Sequence, residues 1–235
     1  MKKSLIALAV AAALVPSLAM AEAGDIVVRL RATSVSPDTS SKLGSQTNAT
    51  GPAPATTLYG NTGNTATLGV DNNVIAEIDF SYYITKNIAA ELILATGTRH
   101  DVHINGYDAA HALTGGSNQL GSVNLLPPTL TAQWHFNPDQ TFDPYVGAGL
   151  SYVRAMDNGL ALNGVPIRIS RNSFGPAIQA GFDYNLPDSK WLVNFDVKKI
   201  WFDTKVEVNY GGSWSKIDQL DVDPWVVSVG IGRKF

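Results

Sequence analysis

Eight stretches of this chain alternate apolar and polar residues with a period of two, which is the signature of strands with one apolar and one polar face. The first is Ile26–Thr33, where Ile26, Val28, Leu30 and Ala32 oppose Val27, Arg29, Arg31 and Thr33. Val74–Ile84 follows, and a third stretch starts at Ile88. The fourth, Leu126–Phe136, opens on Pro127 and Pro128 and then sets Leu130, Ala132, Trp134 and Phe136 against Thr129, Thr131, Gln133 and His135. Pro144–Arg154, Ser173–Tyr184, a stretch from Trp191 and a last one running from Trp225 to the C-terminus complete the set. In each, one side is a nearly continuous apolar row and the other holds the charges and several glycines. A soluble sandwich and a transmembrane barrel both alternate, so the connections must separate them.

Those connections are alternately long and short. Ser34–Asn73, the loop around Arg99–Ser122, Asp157–Asn172 and roughly Asn209–Asp221 are long. Thr85-Lys86-Asn87, Asn137–Asp143 and Leu186–Lys190 are short. A barrel with both termini in the periplasm has this alternation, with short inner turns and long outer loops, and its tilted strands need about ten residues each. A sandwich has no reason to keep it. Tyr82, Trp134, Phe136, Tyr184, Trp191 and Trp225 fall near strand ends, where interfacial aromatic girdles form.

The N-terminus agrees with export. Lys2 and Lys3 precede an apolar run, Leu5 to Val15, and Ala19-Met20-Ala21 has the form of a cleavage site. Residues 1–21 are therefore expected to be a cleaved signal peptide and residues 22–235 a single barrel domain. The chain contains no cysteine, so disulfides do not stabilise it. A net charge of −3 gives no reason to expect nucleic acid as a partner. The sequence predicts an all-β fold, an eight-stranded antiparallel transmembrane β-barrel with long extracellular loops and short periplasmic turns.

Parity then assigns the lumen. Arg29, Arg31, Arg99 and Lys198 are expected to point inward, as are Glu77, Asp79, Glu91, Asp183 and Asp196. Buried charges must pair or incur a large desolvation cost, so an internal network plugging the lower barrel is expected. Ile93 and Ala95, with Leu120 and Leu125 near the outer mouth, are candidates for a hydrophobic pathway or for ordinary packing. Proline donates no ladder hydrogen bond. Pro127 and Pro128 therefore either begin a strand or loosen it on both seams as a lateral portal. His100, His103 and His111 are expected to be solvated loop residues holding no metal, and His135 an inward hydrogen-bonding residue. No G-x-S-x-G stretch is present, which argues against an outer-membrane hydrolase.

Four segments carry a resemblance: LPPTLTAQWHF at Leu126–Phe136, ATGTRHDV at Ala95–Val102, PYVGAGLSY at Pro144–Tyr152 and NFDVKKIWFDT at Asn194–Thr204. They are similar to the OmpW family of small outer-membrane proteins, which includes the alkane-uptake protein AlkL. The resemblance implies an eight-stranded barrel with a narrow apolar passage, passive uptake of small hydrophobic molecules, and no cofactor. The expected partners are outer-membrane lipid, lipopolysaccharide, small hydrophobic solutes and the barrel-assembly machinery, whose signal the terminal Phe235 resembles. A closed barrel has no sheet edge needing a partner, which favours a monomer. The alternative is a non-transporting structural, adhesive or stress-related barrel acting through its extracellular loops.

Overall fold

The computed structural model describes residues 22–43, 67–105, 118–157, 159–162 and 164–235. The expected signal peptide and His111 lie outside the described residues. No helix among the described residues is long and apolar enough to cross a membrane, and the chain crosses with strands instead.

In chain order the first strands are β1 (Ile26–Ser36), β2 (Thr67–Val70), β3 (Asn73–Tyr83), β4 (Ile88–Ala95) and β5 (Thr98–Asn105). Then come β6 (Gln119–Leu126), β7 (Thr129–His135), β8 (Phe142–Asp157), β9 (Gly159–Leu162) and β10 (Val165–Ile169). The last are β11 (Asn172–Asn185), β12 (Trp191–Ile200), β13 (Asp203–Tyr210), β14 (Ser213–Asp221) and β15 (Trp225–Lys234). Eight of them form a closed antiparallel ring, β1–β3–β4–β7–β8–β11–β12–β15, with β15 returning to β1. Closure leaves the ring no free sheet edge, as spanning the bilayer core requires.

The side-chain distribution is that of a soluble protein turned inside out. Leu30, Leu150 and Phe174 on the outer face are 59%, 65% and 71% exposed, while inward Arg29 and Asp79 are fully buried. Tyr82, Trp134, Phe136, Tyr184 and Trp191 are exposed near the periplasmic ends of their strands. Arg233 there lies over the rings of Trp191 and Phe235, 5.3 and 5.6 Å from their centroids. At the opposite rim Trp201 and Trp225 are exposed, and the Lys199 ammonium sits 4.9 Å from the Trp225 ring centroid.

The lumen is too crowded for larger residues at some positions. A Cβ on Gly181 would come within 2.6 Å of the Tyr145 hydroxyl oxygen, and one on Gly230 within 2.7 Å of Arg31 Cγ. The short turns are closed by local backbone bonds, with Ile84 N–H donating to the Ile88 carbonyl at 2.8 Å and Leu186 N–H to that of Trp191 at 2.9 Å.

All four long connections carry strands. β5 and β6 replace much of Arg99–Ser122, with β2 added at their edge. β9, β10, β13 and β14 form a separate four-stranded sheet on the extracellular side. Their inward rows, Val102 and Ile104, Leu160 and Leu162, Val206 and Val208, are buried over the barrel mouth. The polar residues alternating with them dominate the local composition and conceal the pattern. Gly211 and Gly212, with φ of 61° and 90°, close the β13–β14 hairpin, whose two-residue turn needs positive φ.

One inward assignment is corrected. Arg99 is exposed and donates from Nε to Ser122 Oγ at 2.9 Å. The wall is interrupted at Thr96-Gly97 between β4 and β5, and the interruption shifts the alternation by one residue. Glu91, Ile93 and Ala95 face in below it; Thr98, His100, Val102 and Ile104 face in above it.

Candidate functional site: a charged plug beneath an apolar cavity

β1 and β3 pair Arg29 with Asp79 and Arg31 with Glu77 at directly opposed positions, which brings two guanidiniums into one carboxylate cluster. Arg29 grips Asp183 through a fork, Nη2 to Oδ2 at 2.5 Å and Nε to Oδ1 at 3.1 Å, and reaches Asp79 Oδ1 at 2.8 Å and Ser81 Oγ at 2.7 Å. Such two-pronged arginine contacts fix orientation as well as charge. Arg31 lies 2.6 Å from Glu77 Oε1, 3.1 Å from Asp79 Oδ2 and 3.4 Å from Glu91 Oε1. Glu91 also accepts from Thr131 at 3.0 Å and from Gln179 at 2.8 Å. Asn194 donates to Asp183 at 2.8 Å and to the Tyr145 hydroxyl at 3.1 Å. That hydroxyl donates to Asp196 Oδ2 at 3.0 Å, and the Lys198 ammonium stands 3.6 Å from Asp196 Oδ1. This connected cluster fills the lower lumen.

Above it the lumen changes character. Ile93, Ala95, Leu125, Ile200, Phe202 and Val226 line a mainly apolar cavity, with Glu77, Lys198 and Thr129 among its polar walls. The space free of protein atoms there is about 640 Å³, part of it open to solvent. A second apolar space, lined by Leu68, Leu120 and Val206, shares Val70, Leu125, Val153, Phe202 and Val222 with the first and leads toward the extracellular sheet.

The double proline stands in the cavity wall. Pro127 and Thr129 line the cavity. Facing β4 and β5, the residue pairing stops at Ile93–Thr129 and resumes at Thr98–Leu125, so residues 94–97 and 126–128 are unpaired across this seam. The β8 side differs from the expected loosening of both seams. There Leu126 opposes Arg154 and Thr129 opposes Ser151, the same register on both sides of the prolines. The Pro128 carbonyl accepts from Tyr152 N–H at 2.9 Å. Pro128 lacks a donor but keeps its acceptor toward β8, and the register on that side continues across the prolines.

Residues 22–235 match the model of the OmpW family. The chain belongs to the OmpW family. It is 35% identical to outer membrane protein W of Escherichia coli over 181 residues, 75% of this chain and 80% of that protein. Outer membrane protein AlkL of Ectopseudomonas oleovorans is 28% identical over 72% of this chain and 70% of its own length. The crystal structure of the outer membrane protein OprG from Pseudomonas aeruginosa superposes with a TM-score of 0.73 at 29% identity, covering 93% of this chain and 99% of that one. The chain is thus an integral β-barrel of the bacterial outer membrane.

Several lining residues were missed from the sequence. Ile200 and Phe202 continue the inward parity of Lys198, and Val226 that of Ser228; apolar residues on the polar side near a strand's outer end were the available signal. Two histidines also differ from expectation. His100 is buried, with Nδ1 2.8 Å from the Asp71 carbonyl oxygen, and His103 is half-buried 3.4 Å from the Asp71 carboxylate. Burial pushes the His100 imidazole below its ordinary pKa. His135 is fully buried, its Nδ1 2.7 Å from Asp143 Oδ2 and its ring beside the Tyr83 and Tyr145 rings.

Proposed function

We propose that this barrel passes small hydrophobic molecules inward across the outer membrane without chemical change. The solute enters the apolar cavity from the extracellular side. The charged cluster below blocks passage to the periplasm, because an apolar molecule could cross it only by separating buried ion pairs while offering them no polar group in exchange. The remaining exit is sideways into the bilayer, through the seam between residues 94–97 and 126–128. The observation carrying this reading is that the one-sided interruption at Pro127-Pro128 lies in the wall of the cavity itself. The rival reading, a barrel acting only through its extracellular strands, gives no role to an apolar cavity beside an open seam.

The test is uptake of a medium-chain alkane by cells producing the protein, comparing the native chain with Pro127→Val/Pro128→Val. Valines restore two ladder donors, and uptake is expected to fall several-fold while the barrel still assembles. Unchanged uptake in an assembled double variant rules out the seam as the exit.

A further inference from the structure

The cavity is not uniformly apolar, and its polar wall is informative. Lys198 is 2% exposed, lines the cavity, and among the described residues has a single ion-pair partner, Asp196 at 3.6 Å. No hydrogen bond to a described residue engages its ammonium group, which carries three donors. Every other cation of the cluster is held closely: Arg29 by Asp183 and Asp79, Arg31 by Glu77 and Asp79. A buried ammonium with unused donors at the base of an apolar space is an incomplete site.

We infer that Lys198 is a head-group site for solutes that combine an apolar chain with a neutral oxygen, above all medium-chain alcohols. This rests on the reading of the cavity as a solute site and specifies which solutes it favours. The chain would lie along Ile93, Ala95, Leu125 and Val226, and the oxygen would accept from the Lys198 ammonium. A hydroxyl can also donate to Glu77, which lines the same cavity. A plain alkane would leave the ammonium donors unfilled. A carboxylate would add an anion to a cluster in which Glu77, Asp79, Glu91, Asp183 and Asp196 already outnumber Arg29, Arg31 and Lys198. The expected order is therefore alcohol, then alkane and carboxylate.

The experiment uses the full-length barrel in lipid nanodiscs and a decane chain bearing a photoreactive diazirine. Mass spectrometry maps the labelled residues, and unlabelled 1-decanol, decane and decanoate compete at matched membrane concentrations. Labelling at the cavity residues is expected, with 1-decanol competing about tenfold better than decane or decanoate, a difference of about 1.4 kcal/mol. In Lys198→Met the advantage of decanol should fall to within twofold. Because that variant leaves Asp196 unpaired, Lys198→Met/Asp196→Asn removes both charges and must lose the preference in the same way. Cavity labelling with equal competition by all three compounds overturns the head-group site and leaves the transport reading standing. Absence of cavity labelling overturns both, and a decanol preference that survives in either variant overturns the role of Lys198.

Discussion

The lower and upper halves of the lumen solve the same geometrical problem with opposite chemistry. The eight ring strands enclose the lower half, and an eight-stranded barrel is just wide enough for its own side chains to fill; β2, β5 and β6 join the wall of the upper half. Below, long charged side chains cross the lumen and interlock. Above, the inward residues are mainly apolar, the wall is interrupted at Thr96-Gly97 and at Pro127-Pro128, and the apolar cavity lies beside these breaks. Blocking follows from filling the lumen with mutually dependent charges, and capacity follows from withholding side chains where the walls are broken.

The strongest way to break the contrast is to take a cation from the plug. Arg29→Met leaves Asp183 and Asp79 buried without their main partner, and losing one member of a buried ion pair costs about 3–5 kcal/mol. Urea unfolding of the barrel in lipid vesicles is expected to show a loss of this size, the largest of any single change considered.

Next is a matched pair of enlargements. Gly181→Ala in the plug drives a Cβ against the Tyr145 ring and is expected to destabilise the barrel by about 1–3 kcal/mol, as overpacking does. Ala95→Phe adds far more volume, but into the cavity. Its stability cost should be smaller than that of Gly181→Ala, while alkane uptake falls sharply. Reversal of the two stabilities in the same urea assay would mean that the upper lumen is packed as tightly as the lower.

The smallest expected effect concerns His100, above the membrane band. Burial holds its imidazole neutral in the folded state, so its folded pKa lies below the ordinary value of about 6.5. A depressed histidine pKa means that the unfolded segment binds more protons as the solution becomes acidic. The contribution to stability is complete above about 6.5 and is lost as pH falls below it. Amide exchange at Leu68–Val70, which pair with β5, should therefore be faster at pH 5 than at pH 7 after correction for intrinsic rates. His100→Gln should flatten that dependence.

Parity along uninterrupted strands was sufficient to place Arg29, Arg31, Glu77, Asp79, Glu91, Asp183, Asp196 and Lys198 on the inner face. It failed at Arg99, since one residue inserted at Thr96-Gly97 reverses every assignment beyond it. It also passed over Ile200, Phe202 and Val226, which stand on the inward side but look unremarkable among the apolar residues around them.

Alternation and the unequal lengths of the connections were enough to specify a membrane-spanning barrel from the order of residues alone. Which charge meets which was decided only when strands distant in the chain closed into a ring, bringing Arg29 to Asp183 across 154 positions. The cavity likewise exists only in three dimensions. It is the space left where stretches distant in the chain converge, and one unpaired seam beside it comes from a register that the prolines disturb on one side alone.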